Sequence, residues 1–301
     1  MTCPTWHIPL AQRLGVADEL VTEDAGTGDP VEHEGADASM LRAALRGAHP
    51  PDVIVALRVP ELEVAEALSE RGARVLIAYR HPEVDATARF PEFSYSDHIL
   101  VRWERLLGAS GVRTRRADLH LDVDPHQPDR AHTLIHVGAG SIARQWPPAN
   151  WSQVARSLEA QGHRVVLTGS SNEAALVAHV TRGAGLAAGR DLSGDTDVLA
   201  LAELVAGARL VLSCDTGVAH LAIGLRRRSV ILFGAVSPAW WGPPPGCLLH
   251  RCIWKGRLGE PYAPHCDPGL LEISVQEVLD AAVGTDWPDS GTYSCPFLSC
   301  Y

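Results

Sequence analysis

The sequence predicts an α/β protein built on parallel sheets. Short, unbroken apolar runs such as "VVLT", "LVLSC" and "SVILF" recur along the chain. Runs of this kind suit strands covered on both faces. Stretches with apolar residues at helical spacing separate them. Several runs end in glycine-bearing loops that lead at once into the next helical stretch, the turn expected at the carboxyl edge of a doubly wound sheet.

In chain order, Gly26 to Asp37 is polar and acidic and reads as a loop. Pro51 to Leu57, "PDVIVAL", is the first clear strand. Glu61 to Gly72 follows as a helix, with Leu62, Ala65 and Leu68 on one face and a terminal glycine. Ala73 to Tyr79 is the next strand, and Ser96 to Gly111 a capped amphipathic helix. Periodicity is then lost over Leu119 to His132, which carries two prolines, and a domain boundary is expected there. Residues 1–130 are read as one domain, 131–283 as a second and 284–301 as a peripheral tail. The second domain alternates regularly. "HTLIHVGAG" is a strand and loop, and Asn150 to His163 a helix with Asn150 as its expected N-cap. "RVVLTGS", "RLVLSC" and "SVILFG" are strands, and "NEAALVAHVTRGAG", "DVLALAELVAGA" and "GVAHLAIGL" are helices.

Composition narrows the function. With 301 residues, the chain has room for two ordinary domains. A formal net charge of -10 argues against broad nucleic-acid or anionic-membrane binding and leaves room for a local basic pocket. No apolar run is long enough for a membrane helix. The opening residues show neither a basic nor an apolar leader segment, so a cytoplasmic protein with reduced thiols is expected. Cys247, His250, Cys252, His265 and Cys266 have spacings that fit no standard zinc finger.

Four strand ends carry chemistry. In "CDTGVAHLA", Asp215, Thr216 and Gly217 stand between a strand and a helix packed through Val218, Leu221, Ala222 and Leu225. The free amides and dipole of that helix favour a phosphate or carboxylate, and Gly217 lets the backbone approach it. His220 lies in the first turn, within reach of the same anion. The same residues also serve as an ordinary N-cap with a half-buried histidine. In "HVGAGSIARQWP", the loop Gly138 to Ser141 followed by Arg144 makes an anion cradle, or else an ordinary strand-to-helix loop over a core Trp146. In "TGSSNEAA", Glu173 suits the paired hydroxyls of a ribose, or simply complements a helix dipole. The fourth loop, "FGAVSPAWWGPPPG", is rigid and rich in proline and tryptophan.

Taken together and in order, these motifs resemble glycosyltransferase family 9, the group that includes the lipopolysaccharide heptosyltransferases. The quoted stretches are "GAGSIARQWP", "VVLTGSSNE", "LSGDTDVLALAELVAGARLVLS", "DTGVAHLA" and "ILFGAVSP", and the resemblance spans roughly 133 to 283. It implies a GT-B-like architecture of two Rossmann-like domains with parallel sheets, the N-terminal one truncated. It implies inverting, metal-independent transfer of a sugar from a nucleotide-sugar donor to an acceptor hydroxyl, with no cofactor. The acceptor would be a glycan, a lipid-linked sugar or a small molecule. Gly140, Ser141 and Arg144 would face the donor phosphates. Asp215, Thr216, Gly217 and His220 would surround the diphosphate and sugar, and Glu173 would lie near the ribose.

Two departures stand out. The family opens with a strand and a G-D loop whose aspartate is the candidate base, and this chain begins instead at "MTCPTWHIPLAQRLG". The base therefore has no counterpart here, which leaves a non-catalytic donor-binding remnant, or a truncated reading frame, as the alternative. A sugar-nucleotide epimerase is a third reading, and the D-T-G-x-x-H set argues against it. The second departure is Arg226-Arg227-Arg228, where the family has a Gly-Thr-Pro turn.

Overall fold

The computed structural model describes residues 2–4, 21–23, 52–57, 62–70, 72–114, 120–121, 123, 132–284 and 286–288. The expected loop at Gly26–Asp37, the domain boundary near 130 and the end of the tail lie outside them. The chain divides into two compact units, Met1–Arg115 and Arg116–Tyr301.

In the first unit, β1 (Thr2–Pro4) pairs in parallel with β2 (Val21–Glu23). β3 (Val53–Ala56) pairs in parallel with β4 (Val75–Ala78), joined through helix α1 (Leu62–Glu70). Helix α2 (Ile99–Gly108) closes a small core of Ile77, Tyr79, Phe90 and Leu106. Arg102 is buried in α2, and its guanidinium donates to the Asp97 and Tyr95 carbonyls at 2.8 and 2.9 Å. The start of α2 is capped by His98, whose Nδ1 accepts from the Leu100 amide at 3.2 Å.

The second unit holds a five-stranded sheet. Its elements are β5 (His132–His136), α3 (Pro148–Ala160), β6 (Val165–Thr168), α4 (Ala174–Ala184), α5 (Val198–Ala206), β7 (Ala208–Cys214), α6 (Gly217–Gly224), β8 (Ser229–Phe233), α7 (Pro238–Trp241), β9 (His250–Trp254), α8 (Pro268–Leu271) and α9 (Val275–Val283). The strand order is β6-β5-β7-β8-β9, and every neighbouring pair is parallel. β5 to β8 are almost wholly buried, as their unbroken apolar runs require. Trp146 and Trp151 meet edge to face at 4.9 Å in the main core.

Two local expectations are corrected. Asn150 is not an N-cap: α3 begins two residues earlier at Pro148, with Pro147 in the capping position. Proline's fixed φ suits the first helical residue, and that preference outweighs the side-chain cap. β9 and α9 went unrecognised in the sequence. β9 is an edge strand that is mostly half-buried, and its run "HRCIW" mixes polar and apolar residues.

One residue of the triple arginine finds a role. Arg228 donates through Nε and Nη2 to the Pro288 carbonyl at 3.2 and 2.7 Å. Trp287 packs on the core, with the Arg251 guanidinium 3.9 Å from its ring centre. Arg226 has φ +55° and is the one described non-glycine residue with positive φ. A glycine there relieves a left-handed strain of about 1–2 kcal/mol and adds about 1 kcal/mol of unfolded-state entropy. Arg226→Gly is therefore expected to raise stability by up to about 1 kcal/mol in urea unfolding. An unchanged or lowered midpoint would show that the contacts of Arg226 outweigh its backbone strain.

Candidate functional site

The order of the second sheet fixes where a ligand belongs. Numbered along this unit it reads 2-1-3-4-5, with the switch point between β5 and β7. The chain leaves those two strands toward opposite faces, so a crevice opens beyond their carboxyl ends. His136 ends β5 directly opposite Ser213, next to the end of β7. The loops that follow are Val137–Ser141 and Asp215–Thr216. The two strongest motifs of the sequence are thus neighbours at the switch point.

Thr216 occupies the N-cap position of α6 with extended backbone, φ -147° and ψ 175°, yet its side chain makes no capping bond. Its Oγ1 is buried and has no hydrogen-bond partner among the described residues. Gly217 is exposed, and a β-carbon there would meet nothing within 4 Å. Packing therefore gives no reason for glycine at this position. The capping alternative fails at Thr216, and the space beside Gly217 at the start of α6 is open. Asp215 is buried, and burial raises its carboxyl pKa, with His220 and then Arg144 pulling the other way. His220 sits on the exposed side of the first turn.

Arg144 comes to the same place from β5. It lies in a short 3₁₀ turn, Ile142–Arg144, and its Nη1 donates to the Asp215 carbonyl at 3.4 Å. Its Nε is buried without a partner. Two orphaned polar atoms, one cationic and one hydroxyl, thus flank the crevice. Buried polar groups are ordinarily paired, and each exception calls for a reason. Gly140 is half-buried ahead of this turn. Ser141 differs from the expectation of a phosphate-facing hydroxyl. Its Oγ donates to the Pro261 carbonyl at 2.6 Å and accepts from the Ala143 amide at 3.2 Å, so it holds the turn that carries Arg144.

Glu173 reaches the first loop from β6. A β-carbon on Gly138 would lie 1.9 Å from Glu173 Oε1, so only glycine allows the carboxylate to rest against that backbone. Its Oε2 closes a capping box, accepting from the Ser170 amide at 2.7 Å and the Ser170 hydroxyl at 2.9 Å. Glu173 therefore has a structural task in addition to its place beside the crevice. His136 joins this corner through Nδ1, 3.1 Å from Thr168 Oγ1.

Sequence reasoning missed the loop after β9. The Tyr262 ring centre lies 5.7 Å from the Arg144 guanidinium carbon, and the Asp267 amide donates to the Ala143 carbonyl at 3.0 Å. The only sequence signal was a Gly/Pro-punctuated stretch, "GRLGEPYAPHCDP", after a strand that had not been recognised. Cys214, which ends β7, is an inert thiol pushed up to about 12 by burial. Among the described residues no group of three or more His, Cys, Asp or Glu is gathered for a metal ion. No described helix is long and apolar enough to cross a membrane.

Residues 109–250 match the family described as glycosyltransferase family 9 (heptosyltransferase). The lipopolysaccharide heptosyltransferase 3 of Escherichia coli is 27% identical over 181 residues, covering 59% of this chain and 51% of that protein. The chain thus spans about half the length of the curated relatives it matches. Among solved structures, E. coli ADP-heptose lipopolysaccharide heptosyltransferase II shares the fold with a TM-score of 0.67 at 19% identity, covering 93% of this chain and 86% of that one. An E. coli heptosyltransferase solved with ADP gives a TM-score of 0.62 at 16% identity, covering 92% and 87%. The fold class is accordingly α/β and GT-B-like, as the sequence predicted.

Proposed function

We propose that this chain, heptosyltransferase-like by its match to glycosyltransferase family 9, binds a nucleotide-sugar and transfers the sugar, with inversion and without a metal, to an acceptor hydroxyl. The observation that carries this reading is the pair of unsatisfied groups, Arg144 Nε and Thr216 Oγ1, beside the open first turn of α6 at the switch point. In the proposed reaction the acceptor oxygen forms a bond to the anomeric carbon as the bond from that carbon to the diphosphate breaks. The nucleoside diphosphate leaves with the electron pair. Its developing charge meets the Arg144 guanidinium, the Thr216 hydroxyl and the amides of α6, donors held in place before the reaction begins. Glu173, against Gly138, is the proposed partner of the ribose hydroxyls. The acceptor proton must pass to a base, and none of the site residues described above is assigned that role. A donor-binding protein without transfer is therefore the second reading.

Calorimetry with ADP, UDP and GDP tests the donor site. One of them is expected to bind, and Arg144→Ala is expected to weaken it by about 1.5–3 kcal/mol, the range for a hydrogen bond to a charged group. Equal affinity in the variant would return Arg144 to a structural role. Release of the bound diphosphate from a nucleotide-sugar in the presence of acceptor would then separate transfer from binding alone.

A further inference from the structure

Helix α6 begins at the end of β7, beside the switch point, and is only eight residues long. A helix that short is marginal by itself. The side chains it buries, Val218, Ala219 and Ala222, are short and lock it weakly. Its position therefore depends on how its two ends are held. At the N-terminal end the Ala219 amide donates to the Thr216 carbonyl at 3.1 Å, and the Thr216 side chain makes no capping bond. The C-terminal end is satisfied group by group. The Leu221 carbonyl accepts from the Leu225 amide at 2.9 Å. The Ile223 and Ala222 carbonyls accept from the Arg226 and Arg227 amides at 3.1 and 2.8 Å. That is the Schellman pattern, with Arg226 in the left-handed position that glycine usually takes. One carbonyl of the last turn remains, that of Gly224. Its partner comes from far back in the chain, where the Leu121 amide donates to it at 2.9 Å.

The preceding residue joins the same carbonyl. Burial and then the charge of Arg226 lower the His120 pKa, and a hydrogen bond to the Gly224 backbone opposes them. His120 Nδ1 is buried with no hydrogen-bond partner among the described residues, so that bond belongs to Nε2, which donates as N–H in the neutral ring. Val123 is buried two residues further on and anchors the segment. His120, Leu121 and Val123 belong to the second unit and stand in the stretch ahead of β5 where periodicity is lost. A segment with neither helical nor strand pattern thus spends two donors on one carbonyl, which has two lone pairs to receive them. The clamp and the donor site lie at opposite ends of α6, and a helix of eight residues spans about 12 Å. A tilt at one end of so short a rod displaces the other. Donors aimed at a leaving group must be in place before it forms, so the clamped end sets how well the open end is aimed.

We infer that His120 and the Leu121 amide are positioning groups for the nucleotide: they clamp the C-terminal end of α6 so that its first turn is already placed for the diphosphate. This rests on the donor-site reading above. Linkage makes the coupling reciprocal, so a diphosphate that settles on the first turn must also tighten the clamp. The test is amide hydrogen exchange of the full chain by NMR, together with calorimetry of wild type, His120→Ala and His120→Gln, with ADP, UDP and GDP. Saturation with the diphosphate that wild type binds is expected to slow exchange of the Leu121 amide by about fivefold or more. His120→Ala is expected to bind that diphosphate about fivefold or more weakly. His120→Gln, whose side-chain amide reaches as far as Nε2 and donates an N–H, is expected to stay within about twofold of wild type. Leu121 exchange that does not respond to bound diphosphate overturns the clamp and leaves the donor site standing. So does wild-type affinity in His120→Ala. A His120→Gln protein as weak as His120→Ala overturns the role given to the Nε2 hydrogen bond. If His120→Ala does not fold, the wild-type exchange rates and His120→Gln decide the matter. If wild type binds none of the three diphosphates, the donor-site reading itself fails, and the clamp with it.

Discussion

Gly217→Ala is expected to melt like wild type when free and to lose the stabilisation that a bound nucleoside diphosphate confers. At a ligand concentration of 100 times Kd that stabilisation amounts to about 2.7 kcal/mol. The free protein should tolerate the change because a β-carbon at 217 meets nothing within 4 Å and the residue begins a helix, where alanine is the better former by roughly 1 kcal/mol. The bound state should not tolerate it, because the added methyl would fill the open space beside the start of α6 where the diphosphate is proposed to lie. His220→Ala should act in the same direction and more mildly, since it removes one donor and leaves the amides in place. The measurement is thermal melting with and without saturating diphosphate. A Gly217→Ala protein stabilised as much as wild type would show that no ligand approaches this strand tip.

The parts of the site legible in the sequence are those written in local patterns. Asp215-Thr216-Gly217 stood out because three non-core residues interrupt two apolar periods, and the strand order sets them beside the loop that bears Arg144. The sequence reading gave Glu173 as a ribose partner or a dipole complement, and the structure adds a capping box with Ser170, whose Ser-x-x-Glu spacing is written in the sequence. What could not be read was tertiary. The family resemblance implied that Ser141 faces the donor phosphates, whereas its hydroxyl donates to the Pro261 carbonyl, 120 residues away. Asp267 caps α8 through its side chain, and nothing local shows that its backbone amide donates to the Ala143 carbonyl in the Arg144 turn. The loop that carries it has no period, so only the fold reveals that it rests on the Arg144 turn.

Acid should unfold the second unit early, and His250 should account for much of the loss. His250 opens β9, is 8% exposed, and has Nδ1 2.9 Å from Ser229 Oγ. Burial pushes its pKa down to about 4. In the unfolded chain a histidine titrates near 6.5. Between those values the unfolded state binds a proton that the native state refuses, so stability falls as pH falls through that window and levels off below about 4. Linkage gives a loss of about 2 kcal/mol between pH 7.5 and 5 from this one group. His250→Asn offers Ser229 a neutral partner that cannot titrate. It is expected to cost stability at pH 7.5 through imperfect packing, and to lose about 2 kcal/mol less than wild type on going to pH 5. Urea unfolding of both proteins at the two pH values measures the difference. Buried His132 is shifted the same way by desolvation, so some acid slope should remain in the variant. If wild type and variant lose equal stability over the interval, the imidazole of His250 accepts its proton in the folded protein as readily as in the unfolded one.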